Sequence, residues 1–169
     1  IELFEREFVE PQEAVGIRLL GLFRDLDDAD RFVWLRGFAN MAQRAAALAA
    51  FYGGPVWQAH RDAANATMID SDDVRLLRPA WPGAGIDMRA HRRPTGAVRT
   101  ALPGLLQVSI HPLREPASAD LLRFCREVMA PALAQGGADV LGWYVTEDAP
   151  NNFPRLPLRQ GGPVLVGFA

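Results

Sequence analysis

Lysine is absent, so all 18 basic side chains are arginines; together with abundant alanine, this fits a GC-rich bacterial genome and carries no mechanism. Cysteine is nearly absent too. The single thiol, Cys125, has no partner for an internal disulfide, which removes the usual secreted-scaffold reading and makes a reducing, cytoplasmic setting the expectation. No run approaches the roughly 18 to 20 apolar residues of a membrane span. Residues 1–10 read as a charged amphipathic stretch, not as a signal peptide. Excess charge of one sign is lacking: 18 basic against 20 acidic residues leave a net charge of −2, too balanced for a nucleic-acid surface. With three histidines and one cysteine, and no pair of them at metal-ligand spacing, no metal site is expected.

What is present is an ordinary globular mixture, 49% hydrophobic and 22% charged, enough for one large domain or two small ones. Leu3, Phe4, Phe8 and Val9 share a helical face opposite Glu2, Glu5, Arg6 and Glu10, so an amphipathic helix opens the chain. Pro11 kinks or ends it, and Gly16 is placed to stop it. Alternation then predicts a strand over residues 17–25, with Ile17, Leu19, Gly21 and Phe23 on one side. A polar turn at 27–30 leads to a second strand at 31–38, and the two strands make a hairpin. Asn40 caps a helix running to Tyr52, and a third helix spans 55–68. After a turn at 70–73, residues 74–77 read as a short strand. Residues 81–104 are rich in Gly and Pro and read as a linker. Beyond it come a strand at 105–111 and a helix capped by Ser118 that carries Leu121, Leu122, Phe124, Cys125, Val128 and Met129. Two further strands, 140–146 and 163–168, flank a Pro- and Asn-rich loop.

Three collinear matches relate the two halves. Arg6, Glu7 and Pro11 recur at one common offset as Arg126, Glu127 and Pro131, while Leu19-Leu20-Gly21 answers to Val140-Leu141-Gly142 and Gly37-Phe38-Ala39 to Gly167-Phe168-Ala169. A duplicated strand–helix–hairpin unit explains them, with repeats at 1–80 and 105–169. The first repeat lacks its opening strand and the second its last helix and strand; since Ile1 is also no initiator Met, the chain is expected to be a central piece of a longer protein, incomplete at both ends. A β-α-β-β-α-β order is the ferredoxin-like motif, which makes the fold class α+β.

Residues 3–11 (Leu-Phe-Glu-Arg-Glu-Phe-Val-Glu-Pro), 32–38 (Phe-Val-Trp-Leu-Arg-Gly-Phe), 51–57 (Phe-Tyr-Gly-Gly-Pro-Val-Trp) and 60–70 (His-Arg-Asp-Ala-Ala-Asn-Ala-Thr-Met-Ile-Asp) resemble the NIPSNAP domain. The likeness covers residues 1–80 well and the second half more loosely. It implies two ferredoxin-like repeats in a dimeric α/β-barrel-type arrangement, hence self-association, with both sheets available from one chain. The family has no settled catalytic activity, so the resemblance brings no catalytic residue with it.

Several short patterns fail on inspection. His60-Arg61-Asp62 echoes a kinase catalytic loop, yet Asn65 stands too near, and neither a glycine-rich loop before a lysine nor an Asp-Phe-Gly is present. Residues 25–30 start like a calcium loop but place Asp30 where glycine is needed and Arg36 where glutamate is needed. Gly83-Ala84-Gly85 follows Pro82 instead of a strand, so a dinucleotide site is unsupported and no cofactor is expected.

Two groupings remain as ligand-binding candidates. On the third helix Val56, Ala59, Ala63 and Ala66 make a small-residue stripe, and beside it run Trp57, His60 and Arg61, either at the mouth of a pocket for an apolar anion or as an amphipathic helix edge. On the second strand Arg36 shares a face with Phe32, Trp34 and Phe38, where it either pairs with a protein carboxylate or binds an acid. Gln107, Ser109 and His111 share a strand face read as facing solvent, and Cys125 reads as a buried, inert thiol. These features favour a small-molecule-binding or protein-interaction module whose ligand is a small acidic or apolar molecule. A cofactor-independent or haem-associated monooxygenase-like enzyme on the same fold is the alternative, and a purely structural assembly unit is the third reading.

Overall fold

The computed structural model describes residues 1–70, 73–87 and 104–169. The chain divides into two compact units: Ile1–Val74 with Ala149–Pro157, and Arg75–Asp148 with Leu158–Ala169.

In the first unit a π turn, Phe4–Phe8, runs into helix α1, Val9–Ala14. Pro11 accounts for the widened turn, since it has no N–H to donate and its ring crowds the carbonyl of Glu7, which the looser winding moves away. Gly16, at φ 90°, then lets the chain reverse. Strands β1 (Arg18–Arg24) and β2 (Phe32–Gly37) form the expected antiparallel hairpin. The register corrects the simple alternation, because a bulge lies between Leu19 and Gly21: Leu19 opposes Arg36, whereas Leu22 opposes Trp34 and Arg24 opposes Phe32. One extra residue moves the shared face from Leu19 to Leu22 and turns Gly21 and Phe23 to the other side. Helix α2 (Met41–Gly53) starts where Asn40 Oδ1 accepts the Gln43 N–H at 2.9 Å, and helix α3 (Pro55–Asn65) starts on its proline. Phe8, Ile17, Ala47, Leu48, Phe51 and Ala64 are the buried core of this unit.

The second unit holds β3 (Leu77–Pro79), β4 (Val108–Pro112), α4 (Ala119–Phe124), a π turn (Cys125–Met129), α5 (Ala130–Gln135), β5 (Gly142–Thr146) and β6 (Val164–Phe168). The four strands pair antiparallel in the order β3-β5-β6-β4. The helical segment thus crosses from β4 to β5 while β6 lies between them, which is a split β-α-β unit. Ser118 Oγ caps α4 by accepting the Leu121 N–H at 3.2 Å. As in the first unit, a π turn precedes a proline, Pro131, and a glycine at φ 90°, Gly137, follows the helix.

Ala80, Ala84, Cys125, Trp143, Val145 and Leu165 are the buried core of the second unit. Cys125 is wholly enclosed, and burial raises its thiol pKa, so the thiolate needed for reactivity is disfavoured. The stretch read as a linker begins within this unit, where Ala84 O accepts the Trp143 N–H at 2.8 Å and the Ile86 N–H donates to Tyr144 OH at 2.8 Å. Residues 88–103 of that stretch lie outside the described residues, as do two residues of the turn at 70–73. The short strand expected at 74–77 begins at Leu77 instead.

The architecture is therefore α+β. The described strands make one two-stranded sheet and one open four-stranded sheet edged by β3 and β4, so no closed barrel is present among the described residues. Among those residues, no helix is long and apolar enough to cross a membrane.

Candidate functional site

Two polar side chains are buried among the described residues, Gln12 at 1% exposure and Arg44 at 2%, and both belong to the first unit. Arg44 sits in the first turn of α2, where the spacing to Leu48 and Phe51 places it on the core face. Its Nη1 donates to Asn151 Oδ1 at 3.1 Å and to Asn152 Oδ1 at 2.7 Å. Both amides are held in place. Asn151 Nδ2 donates to Leu156 O at 2.9 Å and Asn152 Nδ2 to Met41 O at 2.6 Å, so each turns its oxygen toward the guanidinium.

Arg36 approaches from β2. Its Nη1 lies 3.4 Å from both Gln12 Oε1 and Tyr52 OH, long contacts to neutral acceptors. Gln12 Nε2 donates to Phe8 O at 3.0 Å, which fixes the amide so that its oxygen faces Arg36. The Arg36 guanidinium carbon is 5.9 Å from the Trp34 ring centre, at the outer reach of a cation–π contact. Tyr52 is braced by Phe153, stacked at 5.8 Å, and by Trp57, edge-on at 4.8 Å.

Among the described residues no carboxylate pairs with Arg36 or Arg44; all their polar partners are neutral amides and a phenol. The Arg36 charge instead acts on Arg44. Burial, and then the Arg36 charge, hold the Arg44 pKa below the ordinary arginine value. A buried charge with no counter-ion is costly, and an oxyanion placed between such groups would relieve desolvation and like-charge repulsion together.

Of the residues singled out in the sequence, Trp34 and Arg36 are brought together here. Trp57 packs against Phe8, Phe51 and Tyr52 as part of the core wall. His60 turns elsewhere: its Nε2 is 3.4 Å from Glu7 Oε2 and its ring meets Phe8 edge-on at 6.2 Å. The Glu7 carboxyl is held below its ordinary pKa chiefly by the hydrogen bond from Arg6, with the His60 charge a lesser contribution. Arg61 lies on the surface, bonded to Gln58 Oε1 at 3.2 Å and paired with Asp62 at 3.3 Å. Gln107 and His111 are exposed and Ser109 half-buried. Residues 25–30 form the hairpin turn, in which Asp25 and Asp28 accept backbone N–H groups and pair with Arg31. No group of three or more metal-ligating side chains occurs among the described residues.

Sequence reasoning passed over Arg44, Gln12, Tyr52, Asn151 and Asn152. A signal for Arg44 was available, since it interrupts the apolar i, i+4, i+7 row that continues with Leu48 and Phe51. Nothing comparable marks the asparagines, which sit in a loop with no periodicity.

Residues 1–81 match the NIPSNAP family model. The chain carries a NIPSNAP-family domain. No curated protein and no solved structure matches the chain. The NIPSNAP match takes in Gln12, Arg36, Arg44 and Tyr52 and ends before Asn151 and Asn152, although these asparagines belong to the same compact unit. The buried arginine of the NIPSNAP domain is thus held by side chains from outside the matched region.

Proposed function

We propose that the first unit is a binding module for a small organic anion, held by Arg36 and Arg44 with Tyr52 and Trp34 beside it. The observation that supports this reading is that Arg36 and the buried Arg44 have only neutral polar partners among the described residues, while burial and the Arg36 charge lower the Arg44 pKa. Each arginine carries five N–H donors, and in both the polar contacts use Nη1 alone, which leaves donors for charge-assisted bonds to an oxyanion. In this reading Trp34 and Arg36 contact the ligand, Trp57 backs Tyr52, and His60 and Arg61 stay outside the site. The enzymatic alternative rests on fold analogy alone.

Thermal melting with a panel of acidic metabolites tests the proposal. In the wild type at least one acid raises the melting temperature. In Arg36→Gln the ligand-free protein melts at the same temperature or higher, because a like charge near Arg44 has gone, and the ligand-induced rise disappears. A wild type that no acid stabilises, or an Arg36→Gln protein that loses several degrees without ligand, overturns the reading.

We also read the two units as ferredoxin-like repeats of a self-associating protein. Support comes from the split β-α-β order of the second unit and from the shared build of the two opening helices, each with a π turn, a proline and a terminal glycine at φ 90°. The outer strand β4 also leaves Val108 and Ile110 42% and 45% exposed. Light scattering at micromolar concentration then gives at least a dimer; a monomer refutes this.

A further inference from the structure

We propose that the second unit carries a site of its own, a cleft between Trp81 and the α4 segment that takes a single-ring aromatic carboxylate. The cleft measures about 190 Å³ and is lined, among the described residues, by Trp81, Ala119, Leu122, Arg123 and Arg126, all of the second unit. Its volume suits one ring. An apolar cavity of roughly 150 Å³ already holds benzene, so there is room here for a phenyl body and a small head. The site shares no residue with the Arg36–Arg44 grouping and stands or falls apart from it.

One wall is an indole face fixed from behind. Trp81 stacks on the buried Trp143, with ring centres 6.5 Å apart and planes at 28°, and its carbonyl accepts the Ala84 N–H at 2.9 Å. A ring already held in place loses little freedom when a ligand stacks on it. The other wall is a single helical stripe, since Ala119, Leu122, Arg123 and Arg126 fall at i, i+3, i+4 and i+7. Ala119 and Leu122 give apolar surface for the ring, and the two arginines give donors for the head. Each arginine bonds an acid through Nη2, Arg123 to Asp120 at 2.7 Å and Arg126 to Glu127 at 2.8 Å, and all four side chains are more than half exposed. Ion pairs so open to water hold weakly, so a ligand carboxylate reaches the remaining N–H groups, or displaces an acid, at little cost. Because each guanidinium has its own acid, the rim is close to neutral. One added negative charge is then tolerated better than two, which selects a carboxylate over a phosphomonoester.

Proton–nitrogen NMR of the whole chain reads the site through the tryptophan indole N–H signals, assigned by one Trp→Phe change at a time. Benzoate is the probe, and benzamide, its uncharged counterpart, is the control. The expected result is that benzoate moves the Trp81 signal saturably and binds about tenfold more tightly than benzamide, the scale of one charge-assisted hydrogen bond at an exposed rim. Arg123→Gln combined with Arg126→Gln keeps the dispersed spectrum of the folded chain, because both side chains are exposed, and makes the two probes bind alike. A Trp81 signal unmoved by about 10 mM benzoate overturns the site. So does equal binding of benzamide by the wild type, or a preference for benzoate that survives the double change. Movement confined to Trp34 or Trp57 also overturns it, and reports on the first unit instead.

Discussion

Replacing Asn151 and Asn152 together with alanine lowers stability by about 3 to 5 kcal/mol in urea unfolding, the range for stranding a buried charge, whereas Arg44→Met stays close to neutral. The contrast follows from what each change leaves behind. Without the two amide oxygens at 3.1 and 2.7 Å, the Arg44 guanidinium remains 2% exposed, with a second arginine acting on it and no polar partner among the described residues. Removing the guanidinium instead leaves only amide oxygens, and those of the exposed Asn152 can turn to water. Methionine fills much of the same volume beside Leu48 and lifts the repulsion with Arg36. If Arg44→Met costs as much as the double asparagine change, the arginine is a structural clasp whose charge is already compensated, and the anion-binding reading loses its basis.

Phe8→Ala is expected to destabilise by about 3 to 5 kcal/mol, the range for truncating a buried aromatic. Phe8 is 3% exposed and its ring meets Phe4 at 6.0 Å, Phe51 at 5.9 Å, Trp57 at 5.5 Å and His60 at 6.2 Å, so alanine empties a site walled by three elements. Rigid rings collapse poorly into such a space. The same residue ends the π turn, and its carbonyl accepts from Gln12 Nε2, so Phe8→Ala also loosens the amide that faces Arg36. A loss below about 1 kcal/mol would show that the opening helix repacks freely.

Local chemistry made much of the fold legible. Asn40 and Ser118 cap the helices that follow them, because an oxygen on a short side chain, one carbon from Cα in Ser118 and two in Asn40, reaches the N–H groups of the next turn regardless of what packs around it. The hairpin of residues 18–37 followed from period-two alternation, and the strands near 142–146 and 164–168 flank the Pro- and Asn-rich loop expected between them. Alternation failed at Leu19 and Gly21, where one inserted residue flips the side chains and nothing in composition announces it. The site was half legible. Arg36 stood out because its strand neighbours Trp34 and Phe32 are aromatic, which raised the question of its partner. Its partners, the Gln12 amide and the Tyr52 phenol, and those of Arg44 in a loop far along the chain, are pairings at a distance that leaves no trace in a local window.

That distance has a consequence for biosynthesis. The acceptors of Arg44 lie 107 and 108 positions beyond it, in a loop that leaves the second unit after Asp148 and returns to it at Leu158. A ribosome delivers helix α2 long before it delivers Asn151 and Asn152, so Arg44 gains these two acceptors only once residues up to 152 are made. A fragment cut at the end of the matched region, residue 81, would keep the guanidinium and lose both of its acceptors. The end of the family match and the extent of the compact unit therefore fall at different places in this chain, since the unit also takes in residues 149–157.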